Sequence, residues 1–367
     1  MTKIRISNGM FIAMIVNMIF VKSIGVTQGT LARIAGQDMW LATLLGTLQS
    51  MLIMYVTYLA MKRAPGMNFM SLGEAVLGRW LGKLVALIVL VFFIASSGPI
   101  MMTFVYHLQD YFLPEAPLSL FLVSSLLVGA LGCFYGLEVI ARLALLGMLF
   151  IFLLNVLIII GSTQEFDIRN LLPVLEQGFP AVAEASLHYD ADCAMAVMMA
   201  AIVMPFVNNS DKLGGRIGMT GLAATGMVTL IWALLEGAVL SSEVTSQYTV
   251  SCMKLARNAH IGEFLQRYEM IMIALYSVPV LFEIMICIYG TSVSMSKLFG
   301  LRSDRWTIVP ACLIIAGFSY RIVGDHFKAM EYLEKVWPYI ALPIAFGLPV
   351  VMLWLAVAFR GKLRRAG

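Results

Sequence analysis

Charge is what this sequence has least of. Only 13% of its 367 residues are Asp, Glu, Lys or Arg, against ~25% in an ordinary soluble domain. A deficit that large excludes a chain whose whole surface meets water. Cysteine is sparse, and Cys133, Cys193, Cys252, Cys287 and Cys312 have no metal-like spacing. Most lie in apolar stretches and read as small buried hydrophobes. The sequence has no nucleophile–base pair, no zinc motif and no phosphate-cradling loop, so an intramembrane enzyme is the least favoured class and no cofactor is expected. Basic residues are scattered at the ends of apolar runs, which argues for membrane anchoring rather than nucleic-acid binding. Lys3 and Arg5 precede an apolar run that continues past residue 20 with no small-residue cleavage site, so no removable signal is expected. No lipidation motif is present.

Long apolar runs fill the place of the missing charge. Leu84–Ile94, Leu118–Leu131, Leu143–Ile160 and Pro343–Phe359 carry none at all. The last two approach the ~20 residues that a helix needs to cross ~30 Å of hydrocarbon. Reading apolar stretches between polar breaks predicts ten spans, near 9–32, 40–61, 81–107, 118–135, 141–162, 178–208, 217–242, 265–293, 306–321 and 336–359. The expectation is an all-α integral membrane protein, one polytopic domain over 1–367. Its two five-helix halves cover about 9–162 and 178–359. Ten spans put 16 Lys and Arg on the side of the termini and 7 on the other, with Lys22 and Arg267 inside or at the edge of spans. That bias predicts both termini in the cytoplasm. The loops near 163–177 and 243–264 are short, with room for interfacial helices.

Two spans look interrupted. Val21–Thr30 contains Lys22, Gly25, Thr27, Gln28 and Gly29 at membrane depth. Non-helical backbone there is tolerated only where protein or a cavity surrounds it, and an ionisable residue inside the membrane is costly. The alternative is a continuous helix whose Lys22 snorkels and whose glycines allow close packing. In the sixth span, half-helix Ala181–Leu187 is followed by His188, Tyr189, Asp190, Ala191 and Asp192, then by the apolar run Ala194–Val207. The alternative here is a shorter helix with Asp192 as its N-cap. Interrupted helices at matching places in two inverted repeats point to a transporter-type site. Lys22, Gly25, Thr27 and Gln28, together with Tyr189, Asp190 and Asp192, are therefore the candidate ligand-binding residues, in one cavity near mid-membrane. Half-helix N-termini attract carboxylates and unwound carbonyls hold an ammonium, and a free amino acid carries both groups. Glu236, Glu269 and Glu283 are acids in apolar surroundings, with Arg267 near enough in sequence to pair. Asn17, Gln49 and Asn155 suit interhelical packing. Each of these reads first as structural.

Several segments resemble one family. They are Ala35–Leu41 (AGQDMWL), Leu113–Pro117 (LPEAP), Gly136–Arg142 (GLEVIAR), Asn170–Val174 (NLLPV) and Phe264–Glu269 (FLQRYE). In this order they are similar to the permease-like B subunits of the spore germinant receptors of endospore-forming bacteria. The resemblance runs from about residue 5 to about 360. It implies the amino acid–polyamine–organocation superfamily and a LeuT-like 5+5 inverted repeat with broken helices 1 and 6. It also implies a spore inner-membrane location, a small nutrient ligand that is often an amino acid, and A and C subunits as partners. The family often has an acidic residue after a Phe-Gly pair in the sixth span, where this chain has Asp192-Cys193-Ala194-Met195. The same loop motifs have structural readings, with Asp38 capping the second helix and Glu138 pairing with Arg142.

Three functions are thereby open. The first is a ligand-sensing receptor subunit, the second an H⁺- or Na⁺-coupled amino acid or amine permease. The third is a membrane scaffold with a degenerate pocket, which the departure in span 6 keeps in play.

Overall fold

The computed structural model describes residues 5–261, 265–266, 268–361 and 363. Lys3, Lys362, Arg364 and Arg365 of the charge pattern, together with Phe264 and Arg267, lie outside the described residues. Almost everything else is helical. In chain order the helices are α1 (Asn8–Ser23), α2 (Thr27–Ala35), α3 (Met39–Lys62), α4 (Phe69–Leu77), α5 (Arg79–Tyr111), α6 (Leu118–Tyr135), α7 (Leu137–Ser162), α8 (Gly178–Val203) and α9 (Ser210–Leu235). The short α10 (Ser242–Gln247) and α11 (Ser251–Asn258) lie in the loop expected to hold interfacial helices. Then come α12 (Glu269–Phe299), α13 (Arg305–Val323), α14 (His326–Glu331), α15 (Trp337–Leu342) and α16 (Leu348–Ala358), the last three joined by π turns into one rod. Two-residue strands His260–Ile261 and Leu265–Gln266 pair antiparallel beside α11. Nine helical stretches among the described residues are long and apolar enough to cross a membrane, and Asn8–Ser23 is a shorter apolar helix beside them.

The protein is apolar on its rim and in its core alike. Leu48, Leu52, Leu127, Leu131, Phe152 and Trp354 point outward, the arrangement of a protein whose solvent is lipid. Trp80 and Trp306 are exposed at the starts of α5 and α13, where amphipathic rings suit a membrane–water boundary. At the centre, every residue from Ala13 to Gly25 is buried. The helix α1 is walled by α7, α8, α9 and α12, and α3 packs along α8 and α9. Asn17 ties α1 to α7 by donating to the carbonyl of Ala144 at 2.8 Å, while Asn155 accepts from the Trp232 indole at 3.0 Å. Gln49 accepts from Ser186 at 3.1 Å. These amides hold helices together, as expected.

Loops meet in two groups that cap the bundle at opposite ends. At one end the backbone of Ile6 pairs with Phe206 and Asn208. At the other, Arg33 bonds Glu334 and the Ser246 carbonyl, and Gln37 bonds Pro173 and Glu176. Asp38 does not cap α3 with its side chain; Oδ1 accepts from the Leu175 amide at 2.9 Å instead. Glu138 and Arg142 do pair, at 2.7 Å on an exposed helix face.

The first span is interrupted at Ile24–Val26, inside the stretch expected to break. The sixth is not. Helix α8 runs unbroken through His188–Asp192, and Asp192 is neither in a gap nor an N-cap. The reason is that both aspartates find side-chain partners on other helices, so no backbone need unwind to satisfy them. Asp190 accepts from Ser50 on α3 and Asp192 from Thr27 on α2. The departure from helicity comes later, in the 3-10 turn Met204–Phe206 around Pro205.

Candidate functional site

The break in the first span is short and tight. After Ser23 the amides of Ile24 and Gly25 turn back to the carbonyls of Val21 and Lys22 at 3.3 and 3.1 Å, one residue short of the helical spacing. Helix α2 then restarts at Thr27 with no side-chain cap from its own N-cap residue, Val26. Its first-turn N–H groups have no intrahelical partner and carry the positive end of the helix dipole. Gly25 faces α5; a Cβ there would stand 3.7 Å from Thr103. Gly29 is a close-packing glycine, because a Cβ would fall 2.6 Å from the Tyr248 carbonyl.

Ionisable groups converge on this break from three helices. Lys22, the penultimate residue of α1, places its ammonium 2.8 Å from Glu283 Oε1 on α12. Glu283 is fully buried, and apart from this ion pair its carboxylate has no well-aligned hydrogen bond among the described residues. Thr27, the first residue of α2, donates from Oγ1 to Asp192 Oδ2 at 2.6 Å. Asp192 lies within Coulombic reach of both Lys22 and Glu283. It retains accessible surface although Ala191 and Cys193 on either side are buried. Gln28 is buried with both amide atoms unpartnered.

Helix α5 supplies a fourth wall. Pro99 removes one backbone donor from α5, and the Ala95 carbonyl so freed accepts from Tyr332 at 2.9 Å. One turn on, Thr103 faces Gly25, and its carbonyl meets His107 Nδ1 at 2.5 Å. His107 stacks on Tyr276 of α12 with ring centroids 5.4 Å apart, and the Ile24 carbonyl lies beside it. A cavity of about 330 Å³ opens here, lined by Val26, Thr103, His107, Asp110 and the stretch Gln247–Val250 among others. It reaches the break from the end of the bundle opposite the N-terminus. A larger polar chamber of about 1160 Å³ enters from the N-terminal end, lined among others by Lys83, Ala86, Phe206, Tyr289 and Arg302.

The structure thus gathers Lys22, Gly25, Thr27 and Asp192 around one break, with Gln28 on the same turn as Thr27. Tyr189 and Asp190 are not with them. Two residues along a helix are 200° apart at ~100° per residue, so Asp190 and Asp192 leave α8 on nearly opposite sides. Asp190 takes the bond from Ser50 at 2.9 Å, and Tyr189 bonds Thr229 on α9 at 2.7 Å. The Tyr189 ring packs 2.8 Å from where a Cβ of Gly46 would stand. These two hold α8 to α3 and α9. Conversely, Glu283 belongs to the cluster, although in the sequence it reads only as a lone acid in apolar surroundings. Thr103, His107 and Tyr276 also border the break, and only His107, ionisable near the end of an apolar run, carried a signal.

Comparison with known proteins follows the same lines. Residues 5–323 match the family described as spore germination protein. Spore germination protein KB of Bacillus subtilis (strain 168) is 26% identical, over 97% of this chain and 96% of its own length. Spore germination protein YndE of the same strain is 24% identical over 86% of each chain. Spore germination protein GerQB of Bacillus cereus is 20% identical over 91% of this chain and 90% of its own. Among solved structures, a manganese transporter of Eremococcus coleocola superposes with a TM-score of 0.65 at 14% identity. It covers 96% of this chain and 85% of the transporter. That likeness is one of fold.

Proposed function

Because this chain belongs to the spore germination protein family, we propose that it is the nutrient-sensing membrane subunit of a spore germinant receptor. The observation that carries this reading is the interrupted first span, with Lys22, Thr27, Asp192 and Glu283 drawn around its break. Backbone opened inside a bundle and ringed by ionisable side chains is costly unless it serves a ligand or a moving element. The ligand is a small amino-bearing nutrient, the amino acid class implied by the family. Lys22, Gly25, Thr27, Gln28 and Asp192 line its site, and Glu283 joins them. Tyr189 and Asp190 act behind the site, as packing.

The same reading extends to the frame. Counting α1 and α2 as one broken crossing gives ten, in two five-helix halves, with both termini cytoplasmic in the spore inner membrane. The partners are the receptor's A and C subunits, because the loops of this chain are too short to carry a signal onward alone. Ligand binding shifts a two-state equilibrium only through unequal affinity for the two states. A break that can be ordered or straightened supplies the two states.

A permease is the second reading. It is favoured by two cavities on opposite sides of the break, one of about 330 Å³ that reaches Val26 and one of about 1160 Å³ at the N-terminal end of the bundle, an arrangement suited to alternating access. One experiment separates the two. The purified three-subunit complex is offered a labelled nutrient panel, and the same complex and this chain alone, each in proteoliposomes, are assayed for uptake. Saturable binding without uptake supports sensing, and uptake by this chain alone supports the permease. A complex that binds nothing on the panel leaves the scaffold.

A further inference from the structure

Positive charge is left over at the N-terminal end of the bundle. The chamber of about 1160 Å³ there is walled by α4, the start of α5, the turn between α6 and α7, the end of α12 and the start of α13. Five cations line it, Arg79, Lys83, Lys297, Arg302 and Arg305, against three acids, Glu74, Glu138 and Asp304. Two of the acids are already engaged. Glu74 lies 3.9 Å from Lys297, and Glu138 bonds Arg142, which stands outside the chamber. Asp304 alone then answers Arg79, Lys83, Arg302 and Arg305, none of which makes an ion pair among the described residues. Tyr289 lies ~12 Å deeper, eight residues before Lys297 on α12 at ~1.5 Å per residue. It also lines the chamber; the residue is 8% exposed, and its hydroxyl has no hydrogen-bond partner among the described residues.

The surroundings of this chamber are those of a lipid surface. Trp80 and Trp306 are 83% and 80% exposed and follow Arg79 and Arg305 directly in the chain; the Lys83 ammonium lies 5.7 Å from the centre of the Trp80 ring. Indole rings favour the headgroup layer of a membrane. Leu81, Leu84 and Leu301 are exposed among these residues. One turn further into the bundle from Lys83, Leu87 opens a groove of about 500 Å³ against Ile344, Leu348 and Val351 of the α14–α16 rod, lined throughout by Leu, Ile, Val, Pro and Gly. A soluble anion or an acidic peptide answers the cations alone. An anionic phospholipid answers both features, with its phosphate in the chamber and an acyl chain running along α5 to the groove. Basic pockets between membrane helices suit anionic headgroups.

We propose that this chamber is the seat of an anionic phospholipid. Arg79, Lys83, Arg302 and Arg305 hold its phosphate, and Tyr289 offers a neutral donor at the inner end. The lipid joins the start of α5 to the end of α12 and the start of α13. Seated there, it closes the chamber to a soluble substrate, which agrees with sensing rather than transport.

The test is a lipid titration of the full-length chain in neutral detergent, read by native mass spectrometry. Dioleoyl phosphatidylglycerol should bind at least tenfold more tightly than dioleoyl phosphatidylcholine. Glycerol phosphate, which has the anion without the chains, should not compete at equal concentration. The double variant Arg302→Gln, Arg305→Gln should lose at least fivefold in phosphatidylglycerol affinity, and Lys83→Gln at least threefold. The double variant Lys62→Gln, Arg63→Gln removes two charges at the same end but outside the chamber, and should keep the preference. Nutrient binding by the corresponding complexes should not change, so failure here leaves the ligand-sensing reading standing. Equal affinity for the two lipids overturns the proposal. So does a preference that survives in the chamber variants, because it then belongs to the whole basic rim. Competition by glycerol phosphate assigns the chamber to a soluble anion. A preference shown by the chain alone and lost in the complex with its partner subunits assigns it to an acidic partner segment. Either of these outcomes also overturns the proposal.

Discussion

The Lys22 ammonium sits 2.8 Å from the Glu283 carboxylate, tying the last turn of α1 to the middle of α12 just before the chain breaks. Both groups are buried, Glu283 completely. Such a pair gains little over an apolar one, yet losing one partner leaves a charge stranded. Lys22→Met should therefore lower stability by about 3 kcal/mol or more, and Lys22→Arg by much less. The double variant Lys22→Met, Glu283→Gln should regain most of the loss. Melting of the parent, Lys22→Met, Lys22→Arg, Glu283→Gln and the double variant checks this. If the two single losses simply add in the double variant, the pair is not coupled.

Asp190 and Asp192 are two positions apart and should behave as different kinds of residue. Asp190 bonds Ser50 between α8 and α3, whereas Asp192 bonds Thr27 at the break. Asp190→Asn keeps the shape of the side chain and should shift the melting temperature while sparing the half-maximal nutrient concentration. Asp192→Asn should move the nutrient response at least tenfold, with the assembled complex still recovered. Both responses falling together would mean that the two side chains share one site after all.

Gly25 and Gly29 separate pocket volume from helix packing. A Cβ at Gly25 would stand 3.7 Å from Thr103 and 3.2 Å from the Lys22 carbonyl, so a side chain there grows toward Thr103 once the turn gives by a few tenths of an ångström. Gly25→Leu should abolish the nutrient response with little loss of complex. At Gly29 even a methyl group meets the Tyr248 carbonyl at 2.6 Å. Gly29→Ala should cost about 1–3 kcal/mol and push the 245–250 stretch off α2. Labelling of a cysteine placed at Thr249, faster in the alanine variant than in the parent, would show that displacement. Unchanged labelling together with unchanged melting would contradict the packing.

The proposed ten crossings have a direct check. Reporters fused after residues 62, 110, 140, 170, 213, 250 and 300 should alternate between cytoplasmic and outer signals, beginning in the cytoplasm. Two neighbouring fusions on the same side would remove the ten-crossing arrangement.

Composition and residue pattern alone place the chain in a membrane, as helices, and mark where the first of them breaks. Composition does this because lipid leaves only apolar helical runs available, and each departure from them stands out. Lys22, Gly25, Thr27 and Gln28 could be named because a lysine and two glycines among apolar residues have few places to go. The family was legible too, in ordered loop motifs that no single position carries. What lay beyond reach was direction. Helix α8 is buried almost all round in its second half, so it has no polar face to fix its rotation. From the residues alone, Asp190 and Asp192 look like one cluster and a reason to unwind. Only the packed bundle sends one to Ser50 and the other to Thr27, each satisfied by a neighbour 140 or 165 positions away in the chain. The same holds for Glu283, whose partner Lys22 stands near the opposite end of the sequence. Pairings at that separation are decided by which helix faces meet, and that is settled in three dimensions by the tertiary packing.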